Sequence, residues 1–333
     1  MIVRCYMFRY DPDPPDDPDP PDQMKASTVG AATCRDRSAS GMPLACPELA
    51  EWAELKEILS MAVDHKKSTQ AFYQLVLQWV LTTHEKAGLQ PFFIGLNAPQ
   101  GAGKTTLTRW LCEQLAKLEL VAITMSIDDF YLTREAQVAL AKANPDNSHL
   151  QMRGYPGTHD IKLGINTLRA LKVQSERQST VVPRYNKSAH NGKGDRFPES
   201  EWKTLECPPD IVFVEGWMLG FRPNPQAEEN DPCFVPINEA LPKYADWYAF
   251  FDAFIYLHAR DHRFVLDWRV EAEENMKAKG LPGMSREEVK AYATEFMIAY
   301  EAFSCTISAE ALGIEQYLEV VIGRDRLPIA ASG

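Results

Sequence analysis

The stretch whose reading decides the fold is NAPQGAGKTTLTRW, Asn97 to Trp110. Gly103, Lys104, Thr105 and Thr106 form the end of a phosphate-binding loop of the pattern G-x-x-x-x-G-K-[ST]. That pattern asks for glycine five residues before Gly103, and this chain has Ala98 there. The physics tolerates the exchange. A phosphate cradle needs successive backbone N–H groups turned inward at a helix N-terminus, where the dipole favours negative charge. Gly101 and Gly103 supply the unusual φ values and the close backbone approach. The first glycine is the most replaceable, because a small residue such as Ala98 still fits. Lys104 reaches the β- and γ-phosphates as a point charge, and the Thr105 hydroxyl suits Mg²⁺. The expected nucleotide-contacting run is Ala98, Pro99, Gln100, Gly101, Ala102, Gly103, Lys104, Thr105 and Thr106.

The surroundings have the order such a loop requires. FFIGLN, Phe92 to Asn97, reads as a buried strand before the loop. Thr105 to Lys117 reads as the helix after it, with Leu107, Leu111 and Leu115 on one stripe. Further apolar runs predict strands at Val121–Ile127, around Val181, at Ile211–Gly216 and at Phe254–His258, with Tyr317–Gly323 a last strand or a strand-like edge. Helical periodicity predicts Arg134–Ala143, Ile161–Leu171, Arg263–Ala278 and Arg286–Ala302. Strands alternating with helices imply a mainly parallel sheet covered on both faces. Upstream, Glu48 to Ala87 reads as a helical lead-in that stops at Gly88. The predicted organisation is a disordered tail over residues 1–46 and one α/β domain over 47–333, with lead-in helices at 47–90 and insertions.

Composition limits the function. The net charge of −11 argues against bulk binding to nucleic acid or to an anionic membrane. No apolar run approaches the ~20 residues of a membrane helix. The seven cysteines form no C-x-x-C pair, so no zinc site is indicated and reduced thiols are expected. DPDPPDDPDPPD, Asp11 to Asp22, is acidic and proline-rich, and is expected to be extended and disordered. Its acidity argues against a transit peptide and for a cytoplasmic protein. A start at Met24 would instead give a Ser/Ala-rich segment and allow a plastid location.

Two acidic positions sharpen the reading. SIDDFYL, Ser126 to Leu132, places Asp128 and Asp129 at the C-terminal end of the second strand, where open α/β sheets bind ligands. Asp128 is expected to accept a proton from an attacking hydroxyl or to hold Mg²⁺ through water. Asp129 is equally suited to cap the following turn. In IVFVEGW, Glu215 ends the fourth strand and suits a metal-orienting carboxylate. The expected metal group is Thr105, Glu215 and Asp128. A guanine-reading N-K-x-D or T-K-x-D segment is missing, which leaves ATP as the expected nucleotide.

Taken together, several segments resemble D-glycerate 3-kinases of the plant and cyanobacterial type. They are APQGAGKTT, SIDDFYL, RGYPGTHD (Arg153 to Asp160), VPRYNKSAHNGKGDR (Val182 to Arg196), EGWMLGF (Glu215 to Phe221) and DHRFVLDWRVEAEENM (Asp261 to Met276). The resemblance runs from about Pro91 to the C-terminus. That family writes its phosphate loop with alanine in the first position. It belongs with P-loop kinases similar to uridine kinase, phosphoribulokinase and pantothenate kinase. The resemblance implies a P-loop nucleoside triphosphate hydrolase-like three-layer α/β sandwich. It also implies MgATP-dependent phosphorylation of D-glycerate to 3-phosphoglycerate, in photorespiratory salvage. Plant members carry a C-terminal extension, which is expected to be missing here.

The acceptor side follows from that implication. Glycerate has a carboxylate and two hydroxyls, so its pocket needs cations and a base near the primary hydroxyl. Arg153, His159, Arg184, Lys187, His190, Lys193 and Arg196 are the candidate cations, in two Gly- and Asn-rich segments. Arginine grips a carboxylate through two parallel hydrogen bonds. Tyr185 could hydrogen-bond a hydroxyl, and by similarity to uridine and pantothenate kinases Tyr185 and His190 lie in the acceptor segment. Tyr131, in the Asp128 segment, is placed with the same group. Each cation taken alone also fits a solvated surface charge, and His159 a structural histidine beside Asp160. By the same similarity Arg263 and Arg269 belong to a lid helix whose arginines reach the phosphates, with Arg260 a further candidate. Salt bridges to Asp267, Glu271 and Glu273 are the alternative for them. Rival functions are a sibling kinase acting on a nucleoside, pantothenate or polyol, and a non-catalytic ATP-binding switch. The sequence leaves the oligomeric state open, with a monomer favoured.

Overall fold

The structure, a computed structural model, describes residues 65–278, 280 and 284–332, together with a short antiparallel pairing of Arg4–Cys5 with Ala32–Thr33. The acidic proline-rich segment and the first part of the lead-in, from Glu48, lie outside the described residues. The chain enters the described fold through helix α1, His65–Ala87. Gly88 ends it with φ 59° and an N–H bonded to His84 O at 3.1 Å, the left-handed stop that glycine makes cheaply.

Six strands form the central sheet: β1 Phe92–Asn97, β2 Ala122–Ser126, β3 Ile211–Gly216, β4 Ala253–Ala259, β5 Gln316–Ile322 and β6 Pro328–Ser332. Their order is β6-β5-β4-β1-β3-β2. Every pairing is parallel except β5 with β6. Two interior strands, β1 and β3, are buried along their full length, which is why they read as unbroken apolar runs and not as alternating ones. Parallel neighbours need crossovers, and the helices supply them: α2 Lys104–Lys117, α3 Arg134–Ala143, α4 Ile161–Lys172, α5 Phe264–Ala278 and α6 Arg286–Phe303. Leu107, Leu111 and Leu115 of α2 are buried, as the stripe predicts.

Register places the site. Leu96 and Asn97 of β1 pair with Glu215 and Gly216 of β3, and Ser126 of β2 also pairs with Glu215. The C-terminal ends of these three strands therefore stop at one level. The first two are followed by segments singled out in the sequence, the loop at Ala98 and the turn at Asp128, and β3 carries the acid Glu215 as its second-last residue.

Several expectations need correction. The run at Val181 is not in the central sheet; Thr180–Val182 pairs antiparallel with Lys203–Leu205 in a separate ribbon. Only three residues long and exposed at Val181, it lacks the apolar length of a central strand. Between them, Tyr185–Asn186 and Asp195–Arg196 form a second small hairpin. The Tyr317 run is the strand of its two expected alternatives, parallel beside β4, but it is not the last, since the antiparallel β6 closes that edge. Cys207 departs from the expectation of reduced thiols, being disulfide-bonded, whereas Cys112, Cys233 and Cys305 are free.

Candidate active site

The loop between β1 and α2 has the left-handed backbone that its glycines permit, with φ 78° at Gly101 and 94° at Gly103. Gly103 is the N-cap of α2 and offers no side-chain cap. The first N–H groups of a long helix are thus left facing the loop, as an anion site needs. Ala98 is fully buried and lies outside the left-handed region. Asn97 Nδ2 donates to Trp217 O at 3.2 Å and to Leu219 O at 2.6 Å, tying the loop's root to the segment after β3. Gln100 N donates to the Tyr300 hydroxyl of α6 at 3.0 Å.

Lys104, Thr105, Asp128, Lys187 and Glu215 meet at the ends of β1, β2 and β3. Thr105 Oγ1 donates to Glu215 Oε1 at 3.2 Å. Burial pushes the Glu215 carboxyl above its ordinary range; the Lys104 charge opposes this, Asp128 adds to it, and Lys187 and the Thr105 hydrogen bond pull it back. Asp128 Oδ2 pairs with Lys187 Nζ at 3.1 Å. Lys104 Nζ reaches Pro99 O at 3.4 Å. Asp129 does the capping that its position allowed: its Oδ2 accepts from Ser126 N at 3.2 Å, while Ser126 Oγ accepts from Asp128 N at 3.3 Å. The neighbouring acids thus divide their work, and Asp128 carries the side chain in the site.

The acceptor segments close on this centre. Tyr131 is buried, stacked on His159 with ring centroids 4.5 Å apart and edge-on to Tyr185 at 5.3 Å. Burial, then the Asp128 charge, holds the Tyr131 hydroxyl well above its ordinary pKa, and that hydroxyl bonds Asp128. His159 Nδ1 meets the Tyr244 hydroxyl at 2.7 Å, and Nε2 is buried with no hydrogen-bond partner among the described residues. Burial lowers the His159 pKa to about 4 against a weaker pull from Asp128, so the ring is neutral.

Among the candidate cations the structure sorts facing groups from bracing ones. Lys187 faces Asp128. Arg153 donates to Gly192 O at 2.8 Å and to Lys187 O at 3.2 Å, and lies over the Tyr185 ring. It therefore supports the hairpin that presents Lys187. Arg196 donates to Tyr131 O at 2.9 Å and to Asp160 Oδ2 at 3.2 Å. Arg184 lies over Phe197, 4.7 Å from its centroid. His190 is exposed, pairs with Asp195 at 3.2 Å, and sits with Asn191 in the left-handed region. Lys193 is exposed.

Arg263 precedes α5, is exposed, and its hydrogen bonds to Asp261 hold that carboxyl down at about 2. Arg269 is buried, pairs with Glu273 at 3.4 Å and lies over Tyr292. In this arrangement Arg269 is thus engaged in the ion pair that its helix spacing allowed. Sequence reasoning missed Tyr244, Tyr300 and Arg326, whose Nε donates to Gly101 O at 2.8 Å. They come from chain segments far from any motif, and only the tertiary fold brings them in.

Among the described residues no group of three His, Cys, Asp or Glu side chains forms a metal cage. A hydroxyl and a buried carboxylate in contact, with a second carboxylate near, suit Mg²⁺, which keeps several waters and takes one or two protein oxygens beside phosphate.

Comparison with known proteins gives the lineage. The family model described as Phosphoribulokinase / Uridine kinase family matches residues 93–224. An uncharacterized kinase of Schizosaccharomyces pombe is 34% identical over 253 residues, covering 72% of this chain and 91% of that protein. The chain belongs to the phosphoribulokinase/uridine kinase family. Among its relatives in that family, the chloroplastic D-glycerate 3-kinase of Arabidopsis thaliana is 41% identical over 249 residues. That match covers 73% of this chain and 55% of the plant protein, so the chain spans about half the length of that relative. The solved structure of the D-glycerate 3-kinase of Cryptococcus neoformans is similar at 29% identity and a TM-score of 0.71, covering 79% of this chain and 99% of that one. The P-loop kinase fold expected from the sequence is the fold found. No helix among the described residues is long and apolar enough to cross a membrane.

Proposed function

We propose that this chain transfers the γ-phosphoryl group of ATP to the primary hydroxyl of D-glycerate, giving 3-phosphoglycerate and ADP. The observation that carries the reading is the meeting of Asp128 and Lys187 with Lys104, Thr105 and Glu215 at one strand edge. The similarity to D-glycerate 3-kinases along most of the chain supports the choice of acceptor.

In this mechanism the loop amides and Lys104 hold the triphosphate. Thr105 and Glu215, with Asp128 beside them, would hold Mg²⁺. When bound, the ion would supply charge neutralisation for the transferring phosphoryl group. Lys187 pairs with Asp128 and keeps it close to the acceptor. As the hydroxyl oxygen bonds to the γ-phosphorus, the bond to the β,γ-bridging oxygen breaks and the hydroxyl proton passes to Asp128. Transfer comes late, because a loose transition state needs little early activation of the nucleophile. Tyr131, Tyr185 and neutral His159 line the acceptor side, with Arg153, Arg184, His190 and Arg196 framing it. Arg263 is the lid cation of this scheme, and Arg269 braces the same helix through its buried pair with Glu273. Residues 47–333 act as one kinase domain, with a cytoplasmic location.

The test is ADP release from MgATP with D-glycerate, nucleosides, pantothenate and polyols offered singly, followed by phosphorus NMR of the product. Turnover with D-glycerate alone and a 3-phosphate product is expected. Preference for another acceptor moves the chain to a sibling activity, and turnover with none makes it a binding protein.

A further inference from the structure

The turn joining β5 to β6 reaches the phosphate loop through one side chain. Besides its 2.8 Å bond to Gly101 O, Arg326 pairs through Nη2 with Glu271 Oε2 at 2.7 Å and lies over the Trp268 ring, 5.5 Å from its centroid. Its backbone is in the left-handed region at φ 63°, a placement that is strained for a non-glycine residue. The turn around it closes through Gly323 N to Leu327 O at 2.8 Å and Arg326 N to Gly323 O at 3.0 Å.

Helix α5 grips the same turn. Trp268 Nε1 donates to Arg324 O at 2.7 Å, and Asp267 pairs with Arg324 at 3.0 Å. Asp267, Trp268 and Glu271 share one side of the helix, at the spacing that stacks side chains. The same tryptophan presses on the loop, since a Cβ added at Gly101 would come 2.7 Å from Trp268 Cβ. Gly101 is thus held on one side by α5 and on another by the Arg326 guanidinium.

We propose that Arg326 is a positioning residue for the nucleotide, fixing the Gly101 peptide and making its orientation depend on α5 through Glu271. The inference rests on the ATP reading above. Gly101 C=O and Ala102 N–H belong to one peptide plane. Ala102 N donates to Pro99 O at 3.2 Å, so Arg326 ties the other end of that plane. Without it a glycine at φ 78° turns readily. A flipped plane would break the Ala102–Pro99 hydrogen bond, set the Gly101 carbonyl oxygen against that of Pro99, and disturb the amides of Gly103 and Lys104 that follow.

The experiment measures MgATP binding by calorimetry and steady-state kinetics for both substrates, using the full chain with Arg326→Met, Arg326→Lys and Glu271→Gln. Loss of a charge-assisted bond to the loop predicts about tenfold weaker MgATP binding for R326M. R326K fails to restore it, because an ammonium lacks the planar fork that serves Gly101 and Glu271 together. E271Q gives a smaller loss of the same kind, and the KM for D-glycerate stays put in all three. MgATP binding by R326M as tight as wild type overturns the proposal. So does full rescue by R326K, which would mean that only the charge matters, and so does an equal rise in the acceptor KM. If R326M fails to fold, R326K and E271Q decide by the same criteria. Failure of the wild type to bind MgATP removes the nucleotide reading itself, and this inference with it.

Discussion

Lys187 Nζ lies 3.1 Å from Asp128 Oδ2, and both groups bear electrostatically on the buried Glu215. A lysine from the inserted hairpin thus completes a site whose other members come from the strand ends. In the proposed mechanism Asp128 takes the acceptor's proton and Lys187 holds it in place. Asp128→Asn keeps the shape and removes the base, so kcat is expected to fall by about 10²–10⁴ with MgATP affinity kept. Lys187→Met should lower kcat and raise the KM for the acceptor. Steady-state kinetics with each substrate varied checks both, and near-normal turnover by the Asn variant would remove Asp128 from the base role.

Thr105 and Glu215 are already in contact at 3.2 Å, so the pair is preorganised for Mg²⁺. Glu215→Gln keeps the volume but lowers the ligand's charge. The Mg²⁺ concentration for half-maximal rate is expected to rise about 10–100-fold. Thr105→Ser should stay close to wild type, while Thr105→Val should follow the Gln variant. A Mg²⁺ titration of the initial rate gives the answer.

The parts of this site that were legible in the sequence are those where the chemistry is local. The Ala98–Thr106 loop needs its glycines and lysine adjacent in the chain, and Phe92–Asn97 and Ile211–Gly216 are unbroken apolar runs because both faces of those strands are buried. Asp128 and Glu215 stood out as acids directly after such runs. What stayed hidden depends on distant pairing. Nothing around Arg326 marks it as touching Gly101, and nothing around Tyr244 marks it as the partner of His159. The cations of the acceptor segments carry the same formal charge and so looked alike; only their hydrogen bonds separate Lys187, which faces Asp128, from Arg153, which supports it.

His159 makes stability depend on pH. Its folded pKa is lowered to about 4 from an ordinary 6.5, chiefly by burial. Between those values the unfolded chain binds a proton that the folded chain refuses, so stability falls as pH drops through this window. The loss reaches about 3 kcal/mol once pH is below the folded value. Above pH 6.5 the ring is neutral in both states and the term vanishes. Urea unfolding from pH 7 to pH 4.5 should therefore show a slope that His159→Gln reduces. An unchanged slope in the variant would assign the pH dependence to other groups.

Arg269 and Arg263 separate packing from lid chemistry. Arg269 and Glu273 are 1% and 4% exposed at their side chains. Removing one partner of a buried pair leaves a charge unmatched, at a cost of roughly 3–5 kcal/mol. Arg269→Met is thus expected to lower the unfolding midpoint sharply. Arg263→Ala, at an exposed site, should leave the midpoint in place and act on kcat if the arginine meets the phosphates when the lid closes. Thermal melts read beside kcat distinguish the two; a stable Arg269→Met protein with lost turnover would make Arg269 a phosphate-binding group.

Ala98 supplies the last prediction, because it stands where the general loop pattern has glycine. Its side chain is fully buried and its backbone is outside the left-handed region, whereas Gly101 and Gly103 have φ 78° and 94°. Glycine at this position would therefore relieve no strain. Ala98→Gly removes a buried methyl group and loosens the unfolded chain, which together should destabilise by roughly 1–2 kcal/mol. MgATP affinity should not improve. Gly101→Ala is the contrast, since its added Cβ would meet Trp268 Cβ at 2.7 Å in a conformation that L-residues avoid, and both folding and MgATP binding should suffer. Calorimetric titrations paired with urea curves test the two together. Tighter nucleotide binding by Ala98→Gly would show that the alanine constrains the cradle, and would reverse the account of why the loop works without its first glycine.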